Sequence, residues 1–423
     1  MTELKFGRPY SMVVWGALEA LLVFAAYRSL ILGYADAQFH RGSPQSIRRA
    51  VEIVPSKARY HLSNAAVMQQ LDPSNPLVDH EFSEAVRINP RYSDALVAWS
   101  VREEFLGHNA EAEQMLLSAE RTDKLVKPMW SLANFYFRQG DADKFWPEAK
   151  KCLTLIGSTG LSEGRYDPAA IYQLAWSLTD DPDVISSRML PEDRIIRMSY
   201  GFYLMANNRV KPAVGVSSQL LQDAHSNEGF FFVHYGNFLV SHGLIPEAVR
   251  TWAEMYRRGV ASHPAPDPAG GAFLTNGGFS AAPTNQAFDW KLMAQDPVRF
   301  TYVEGAHAYR FDFDGNQPER TPLLVQTLPL LPSRKYLLTV KFRTEGDVDP
   351  NALIWRLVVH PGDQAVGTQV HVKPEQSGGL ATVDFETPSE TTLGNLFLEY
   401  ARQLGTQRAD GAFEITNADL RLR

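Results

Sequence analysis

The sequence predicts a multidomain α + β chain with an N-terminal transmembrane helix, an α-solenoid of helix pairs and a C-terminal antiparallel β-sandwich. Three observations predict it: an apolar run near the N-terminus, a self-match at a period of 35 residues, and a change from helical to alternating periodicity after a Pro-rich segment. We therefore divide the chain into an anchor helix at 1–35, a helical array at 36–261, a Pro/Gly linker at 262–272 and a sandwich at 273–423.

The apolar run covers 12–32, which is 21 residues, whereas a bilayer span needs roughly 20. Glu19 lies near its middle, where an unpaired carboxylate is costly in lipid. Gly16 and Ala20 form a small-xxx-small pair beside Glu19, a composition typical of contacts between membrane helices. We predict that Gly16, Glu19 and Ala20 contact a partner membrane helix.

Two other interpretations of this run stay open. Basic residues, an apolar stretch and the small-residue sequence Ala35-Asp36-Ala37 also fit a cleaved signal peptide. Because Glu19 and Arg28 interrupt the run, a soluble helix that caps the array is a third interpretation. Basic residues flank both ends of the run, so the orientation in a membrane is open as well.

Composition limits the classes of function. The chain has 423 residues, with 41 Lys and Arg against 48 Asp and Glu, and a net charge of −7. Since no basic tract occurs, we expect no nucleic-acid partner. Cys152 is the only cysteine, which excludes an internal disulfide, and its apolar surroundings predict a core position.

The helical array begins from a repeated stretch. The sequence Ala-Val-Glu-Ile-Val-Pro at 50–55 recurs as Ala-Val-Arg-Ile-Asn-Pro at 85–90. Gly or Asn at regular intervals predicts left-handed turns within each helix pair, and Pro ends the second helix. Those turn residues are Gly107, Gly140, Asn208 and Gly243.

This pattern resembles tetratricopeptide repeats, in which small residues lie at helix crossings and aromatic residues fill the gaps between pairs. We predict six helix pairs, preceded by a lone second helix at 44–54. The unit at 167–190 looks degenerate, and the Gly/Ser-rich loop 157–165 before it predicts a break in the superhelix.

The resemblance implies a concave surface that holds another polypeptide. Polar residues on the first helix of a pair would face that surface. Asn64, Asn134 and Asn237 are the predicted contacts with a protein partner. The regularly spaced tryptophans are more simply packing residues.

Both ends of the C-terminal domain resemble jelly-roll carbohydrate-binding modules, through Asn276-Gly-Gly-Phe279 with Phe288-Asp-Trp290 and through the last strand, 411–420. The resemblance implies glycan binding by aromatic rings, and Trp290, Tyr302 and Trp355 are the candidates. The alternative is that Trp290 and Trp355 fill the core between the sheets.

Many such modules also hold a structural calcium ion. Asn276 and Asp419 are oxygen donors at the corresponding positions, although calcium requires six or more oxygens. The alternative is that both residues support turns. We therefore expect no cofactor other than this calcium ion.

The whole chain resembles bacterial membrane-anchored repeat proteins of cell-envelope polysaccharide systems. The resemblance implies a single span in the bacterial inner membrane, a periplasmic bulk and a non-enzymatic scaffold for protein partners that include a membrane helix. The alternative is an envelope carbohydrate-binding protein that acts in polysaccharide synthesis or export. We find no catalytic motif, and Asp312 with Asp314 is more simply part of a hairpin than a glycosidase pair.

Overall fold

A computed structural model of the chain describes residues 8–159, 167–366, 370–375 and 378–423. The chain forms two compact units, Met1–Tyr200 and Gly201–Arg423. The fourteen α-helices of the described residues precede all of the strands. The helices are α1 (Arg8–His40), α2 (Pro44–Ile53), α3 (Ala58–Leu71), α4 (Leu77–Ile88), α5 (Ser93–Phe105), α6 (Asn109–Thr122), α7 (Val126–Arg138), α8 (Ala142–Thr159), α9 (Ala169–Leu178), α10 (Pro182–Arg188), α11 (Arg194–Ala206), α12 (Val210–Gln222), α13 (Gly229–Ser241) and α14 (Ile245–Arg257).

The apolar helix α1 continues without interruption into the repeats. Its last ten residues pack on α2 and α3 in a cluster that buries Ala35, Ala50, Val54 and Tyr60. The prediction of a lone second helix at 44–54 is therefore wrong, because α2 has a first helix in the end of α1. Helix pairing in the described residues begins at α1–α2 and ends at α13–α14.

The repeat pattern correctly predicts the turns inside the pairs. Gly107, Gly140 and Gly243 have φ angles of 84°, 71° and 70°, and Asn208 has a φ angle of 54°. A side chain with a Cβ atom is disfavoured at these angles, so the turn residues follow from backbone geometry. The repeated Ala50 is fully buried, as a close helix crossing requires.

The degenerate unit is a short pair, as expected. Helix α9 has 10 residues and α10 has 7. Asp181 caps α10 by accepting a hydrogen bond from the backbone N–H of Asp183 at 2.9 Å. Residues 157–159 of the predicted loop belong to α8. Residues 160–165 lie outside the described residues, so the break in the superhelix stays a prediction.

Two antiparallel sheets form the C-terminal sandwich. A five-stranded sheet has the order β1-β4-β10-β6-β7, and a six-stranded sheet has the order β2-β3-β11-β5-β9-β8. Burial alternates along β6, so one face of this strand fills the core and the other faces outward. The strands are β1 (Lys291–Leu292), β2 (Arg299–Val303), β3 (Ala308–Asp314), β4 (Arg320–Pro329), β5 (Lys335–Asp347), β6 (Leu353–His360), β7 (Gln364–Val366), β8 (Val370–Glu375), β9 (Gly378–Glu386), β10 (Leu393–Ala401) and β11 (Asp410–Leu422).

The segment predicted to be an exposed linker is partly packed. His263 and Pro266 are buried, and the Trp252 indole N–H donates a hydrogen bond to the His263 carbonyl at 2.9 Å. Asp267 and Ala272 form an isolated antiparallel bridge. Most other residues of the predicted linker at 262–272 are exposed or half-buried, so its Pro and Gly residues exclude helix and strand but allow burial at single positions.

Candidate functional site

Helix α1 presents apolar side chains to its surroundings from Met12 to Leu30. Met12 is 77% exposed and Leu30 is 73% exposed. The segment Met12–His40 is long and apolar enough to cross a membrane, because an 18-residue window within it has a mean hydropathy of 1.5. A signal sequence shares this property. Gly16, Glu19 and Ala20 are all exposed here, and nothing in the described residues covers this face.

A polar cluster fixes the end of α1 to the repeats. The Tyr60 hydroxyl donates a hydrogen bond to the Asp36 carboxylate, and the Lys57 ammonium donates another at 3.1 Å. The Tyr60 ring also stacks on Phe39, with ring centroids 4.9 Å apart. Side chains at the start of α3 therefore hold the C-terminal end of α1.

A groove of about 500 Å³ lies between α2, α3 and α4, and we call it the α2–α4 groove. Asn64 lines this groove, is 6% exposed and makes no hydrogen bond through its side chain within the described residues. Leu71 and Leu77 line it too, although they are 70% and 57% exposed. The groove thus combines a free amide with exposed apolar side chains. The other residues of its wall are Pro44, Gln45, Arg48, Val51, Glu52, Val67, Met68, Asn75 and Glu81.

Glu81 in the groove wall is held by the buried His61. One nitrogen of the His61 ring lies 2.8 Å from the Glu81 carboxylate, and the other lies 2.9 Å from the Pro55 carbonyl. Because both partners accept hydrogen bonds, only a protonated imidazole satisfies the two contacts. The hydrogen bond to Glu81 raises the pKa of His61, against the opposing effect of burial.

Asn134 is half-buried in α7, on the face that α7 turns toward α5. Ion pairs join the two helices on either side of it. Lys127 pairs with Asp94 at 2.5 Å, and Arg138 pairs with Glu104 at 2.6 Å. The charges next to Asn134 are therefore neutralised within the chain, and Asn134 is a less clear candidate than Asn64.

Asn237 belongs to a stripe along α13. Phe230, His234, Asn237 and Ser241 recur at spacings of four, three and four residues, which places them on one helix face. Phe230 is 81% exposed, and its ring contacts Phe202 of α11 at a centroid distance of 5.8 Å. We call Phe202 together with these four residues the aromatic stripe.

A cavity of about 610 Å³ borders the outer face of the five-stranded sheet, and we call it the sandwich cavity. A row of hydrogen bonds crosses this face. The Thr327 hydroxyl donates to the side-chain oxygen Oδ1 of Asn395 at 2.9 Å, and the side-chain nitrogen Nδ2 of Asn395 lies 3.0 Å from His360 Nε2. The lining residues are Val240, Ser241, Gly243, Ile245, Lys291, Val325, Thr327, His360, Pro361, Thr392, Leu393, Asn395 and Phe397.

Lys291 carries an unbalanced charge in the wall of the sandwich cavity. Its ammonium makes no ion pair or hydrogen bond within the described residues, and burial lowers its pKa. Elsewhere on the same sheet, burial would raise the pKa of Glu399, but hydrogen bonds from Arg356 and Arg320 lower it below the ordinary value. The sheet thus neutralises one buried charge and leaves the other without a partner.

Two of the three predicted glycan-binding rings are fully buried, and Tyr302 is half-buried. Trp290 and Trp355 are 0% and 1% exposed, and they meet each other in the core at a centroid distance of 6.2 Å. Tyr302 packs on Tyr309, with ring centroids 6.0 Å apart. The burial of Trp290 and Trp355 corrects the expectation that these two rings stack on a sugar, whereas glycan contact by Tyr302 stays a prediction. The sequence analysis missed Phe397, which lines the sandwich cavity.

The predicted calcium donors have other roles. The Asn276 amide donates to the Ala281 carbonyl and to the Tyr309 hydroxyl at 3.0 Å each, and its oxygen accepts from Ser280. Asp419 pairs with Arg421 at 2.5 Å. These contacts engage the Asn276 side-chain oxygen and one oxygen of Asp419, and a calcium ion at this position stays a prediction. No group of three His, Cys, Asp or Glu residues in the described parts could hold a metal ion.

The single cysteine and the Asp312 and Asp314 carboxylates have structural roles. Cys152 is fully buried, and burial raises the pKa of its thiol to about 12, so it is not a ready nucleophile. Asp314 accepts a hydrogen bond from the Asn316 backbone N–H at 3.0 Å and precedes Gly315, which has a φ angle of 79°. Asp312 pairs with Arg310. The two carboxylates therefore support the hairpin and its surface.

No protein-family model matches the sequence, and no curated protein matches it. Among solved structures, the chain is similar to PilF of Pseudomonas aeruginosa, with 18% identity over 55% of this chain and 90% of that one and a TM-score of 0.27. It is also similar to YrrB, a repeat protein described as having an unusual peptide-binding site, with 10% identity over 51% of this chain and 93% of that one and a TM-score of 0.26. A carbohydrate-binding module of family 4 matches with 11% identity over 36% of this chain and 99% of that one, with a TM-score of 0.27. The fold assignment therefore depends on the observed helix pairs and sheets and not on these similarities.

Proposed function

We propose that this chain is a non-enzymatic, membrane-anchored scaffold that holds a segment of a protein partner in the α2–α4 groove, on the periplasmic side of a bacterial inner membrane. The observation that carries the proposal is the free amide of Asn64 beside the exposed Leu71 and Leu77. An amide offers both a donor and an acceptor, which matches the two polar groups of a peptide unit. Exposed apolar side chains in a concave surface are typical of ligand sites.

The contacts at the end of α1 support an anchor rather than a cleaved signal. Ala35 is fully buried, and Asp36 is bonded to Lys57 and Tyr60. Cleavage after Ala37 would remove both residues from the packed repeats and leave α2 without its first helix. An anchor keeps these contacts and leaves Met12–Leu30 to the lipid.

We further propose that Gly16, Glu19 and Ala20 form the contact with a partner membrane helix. All three are exposed and lie on one side of α1, and Glu19 needs a polar partner in hydrocarbon. Replacing Glu19 with Leu is expected to remove the membrane partners that co-purify with the chain, while Leu21→Ala leaves them. Unchanged partners in Glu19→Leu would contradict the proposal.

The groove is tested with the full chain in lipid nanodiscs and a displayed library of peptides. We expect Asn64→Ala to weaken the binding of the selected peptides at least tenfold, because the hydrogen bonds between the Asn64 amide and the peptide main chain are lost. Gln70→Ala removes an exposed amide from the same helix outside the groove wall and serves as the matched control. Thermal unfolding of each variant checks the fold. Equal peptide binding by Asn64→Ala and the parent chain, or failure to select any peptide with the parent chain, would refute the proposal that the groove binds a peptide.

We keep a second proposal, that the sandwich binds an envelope polysaccharide during its synthesis or export. Phe397 and the polar row of Thr327, Asn395 and His360 support it, since a ring beside hydrogen-bonding groups is what a sugar requires. A polysaccharide pull-down with the full chain tests it. Binding that is lost in Phe397→Ala favours this proposal, and no binding by the parent chain excludes it.

A further inference from the structure

The sandwich cavity contains one charge that nothing in it offsets. Among the described residues of its wall, Lys291 is the only lysine, arginine or carboxylate. A partly buried ammonium without a counter-ion is unfavourable, so an anion in the cavity gains more than it would at the open surface. The charge of the cavity therefore favours an anionic ligand.

The polar row beside Lys291 keeps hydrogen-bonding capacity. The Asn395 amide nitrogen can only donate, so His360 Nε2 accepts and the ring proton lies on Nδ1, which faces Asp363 at 2.6 Å. Asn395 uses one of its two N–H groups and one oxygen lone pair, and the others remain for a ligand.

The rest of the wall is mainly apolar. The apolar members come from the facing ends of α13 and α14, from β4 and β10, and from the turn after β6, and they are Val240, Ile245, Val325, Pro361, Leu393 and Phe397. A saccharide would bring hydroxyl groups against these side chains, and most of them would lose their hydrogen bonds. An apolar side chain next to a carboxylate fits this wall better.

The aromatic stripe leads to the sandwich cavity along α13. Val240 and Ser241 belong to both the helix and the cavity wall. Phe230 and Ser241 are eleven residues apart, which is about 16 Å at 1.5 Å per residue. An extended peptide covers that distance with about five residues.

We propose that the sandwich cavity and the aromatic stripe together bind the free C-terminus of an extended partner peptide. The terminal carboxylate contacts Lys291, and the last side chain, which is apolar, fills the space beside Phe397. Asn395 bonds the last peptide unit. An apolar or aromatic residue about four positions earlier packs on Phe202 and Phe230. This inference deepens the proposed scaffold function but uses a site separate from the α2–α4 groove.

The test uses the full chain in nanodiscs and a set of fluorescently labelled pentapeptides that start with an aromatic residue and end with an apolar one. Each is made as the free acid and as the C-terminal amide. We expect the acids to bind at least tenfold more tightly than the amides. In Lys291→Met the acids fall to the affinity of the amides, and in Phe230→Ala both forms weaken. Lys341→Met removes an exposed lysine of the same sandwich and keeps the preference for the acid.

Three results would overturn the inference: no binding of any pentapeptide, equal binding of acid and amide, or a preference for the acid that survives in Lys291→Met. Titration with oligogalacturonate and alginate oligomers is run in parallel. If these oligomers bind in a way that Lys291→Met abolishes while the peptides do not bind, the cavity belongs to an acidic saccharide. Asn64→Ala is expected to leave the pentapeptide affinities unchanged, so failure of the groove proposal is separable from failure of this one.

Discussion

Trp252 donates its indole hydrogen bond to the carbonyl of His263 at 2.9 Å, which ties α14 to the chain that follows it. The indole is 1% exposed, so its partner carbonyl is shielded from water as well. The ring also meets Phe288 edge to face, with centroids 5.9 Å apart. The Pro-rich segment is therefore held by a defined contact, and this contact can be tested.

We expect Trp252→Phe to destabilise the C-terminal unit by about 1–3 kcal/mol, because a buried carbonyl loses its donor. Urea unfolding followed by circular dichroism measures the change. Trp99→Phe is the matched control, since the Trp99 indole N–H is buried without a partner and its removal costs no hydrogen bond. Equal effects of the two substitutions would contradict the role given to the Trp252 hydrogen bond.

The junction between α1 and the repeats gives a second prediction. Tyr60→Phe removes the hydrogen bond to Asp36 and keeps the ring that stacks on Phe39. We expect faster amide hydrogen exchange at 31–40 in detergent, because this part of α1 then opens more often from α2 and α3. Tyr34→Phe alters an exposed ring of the same helix and should leave exchange unchanged. Unaltered exchange in Tyr60→Phe would show that the apolar contacts alone hold the junction.

Arg102 gives a third prediction. It is 3% exposed, forms two hydrogen bonds with Asp79 and donates to the Pro73 carbonyl at 2.9 Å. We expect Arg102→Met to cost about 1.5–3 kcal/mol of unfolding free energy, as for hydrogen bonds to charged groups. Urea unfolding measures this loss. Arg87→Met breaks an exposed pair with Glu84 and should cost at most about 0.5 kcal/mol. A loss for Arg102→Met as small as that of the control would refute a structural role.

The buried pair of His61 and Glu81 predicts a pH dependence. Its hydrogen bond raises the pKa of His61 in the folded chain. The folded state therefore binds the proton more tightly than the unfolded state, and this stabilisation is complete below the unfolded pKa of about 6.5. It is lost as the pH rises through the raised pKa. We expect the free energy of unfolding of the parent chain to fall over that interval relative to His61→Gln, measured by urea unfolding at a series of pH values. Parallel pH profiles would contradict the prediction.

Local sequence signals predicted the elements of the repeats well. Gly107 and Asn208 mark turns because their backbone angles suit few other residues, and Ala50 marks a crossing because a larger side chain does not fit. The beginning of the array could not be found in this way. In α1 the apolar residues near Ala35 look the same whether they face lipid or α2, and only the packed pair distinguishes the two.

The candidate sites depended more on tertiary structure. Alternation in a strand gives two faces but does not say which one is covered by a second sheet. Trp355 and Phe397 both lie in strands of the five-stranded sheet, yet Trp355 faces the core and Phe397 the sandwich cavity. Lys291 carried no sequence signal, because its lack of a partner is a property of the assembled sheet. Asn64 lines the α2–α4 groove, and its role as a contact with a protein partner remains a prediction.

In the proposed anchor, the continuity of α1 links movement in a bilayer to the direction of the α2–α4 groove. The helix has 33 residues and no break between Glu19 and Asp36. A rotation of its apolar part about the helix axis must therefore turn α2 and α3 by the same angle. A neighbouring helix that selects the Glu19 face would thereby set the direction in which the α2–α4 groove opens. The contact that anchors the helix and the direction in which the groove opens would then be coupled through rotation of α1.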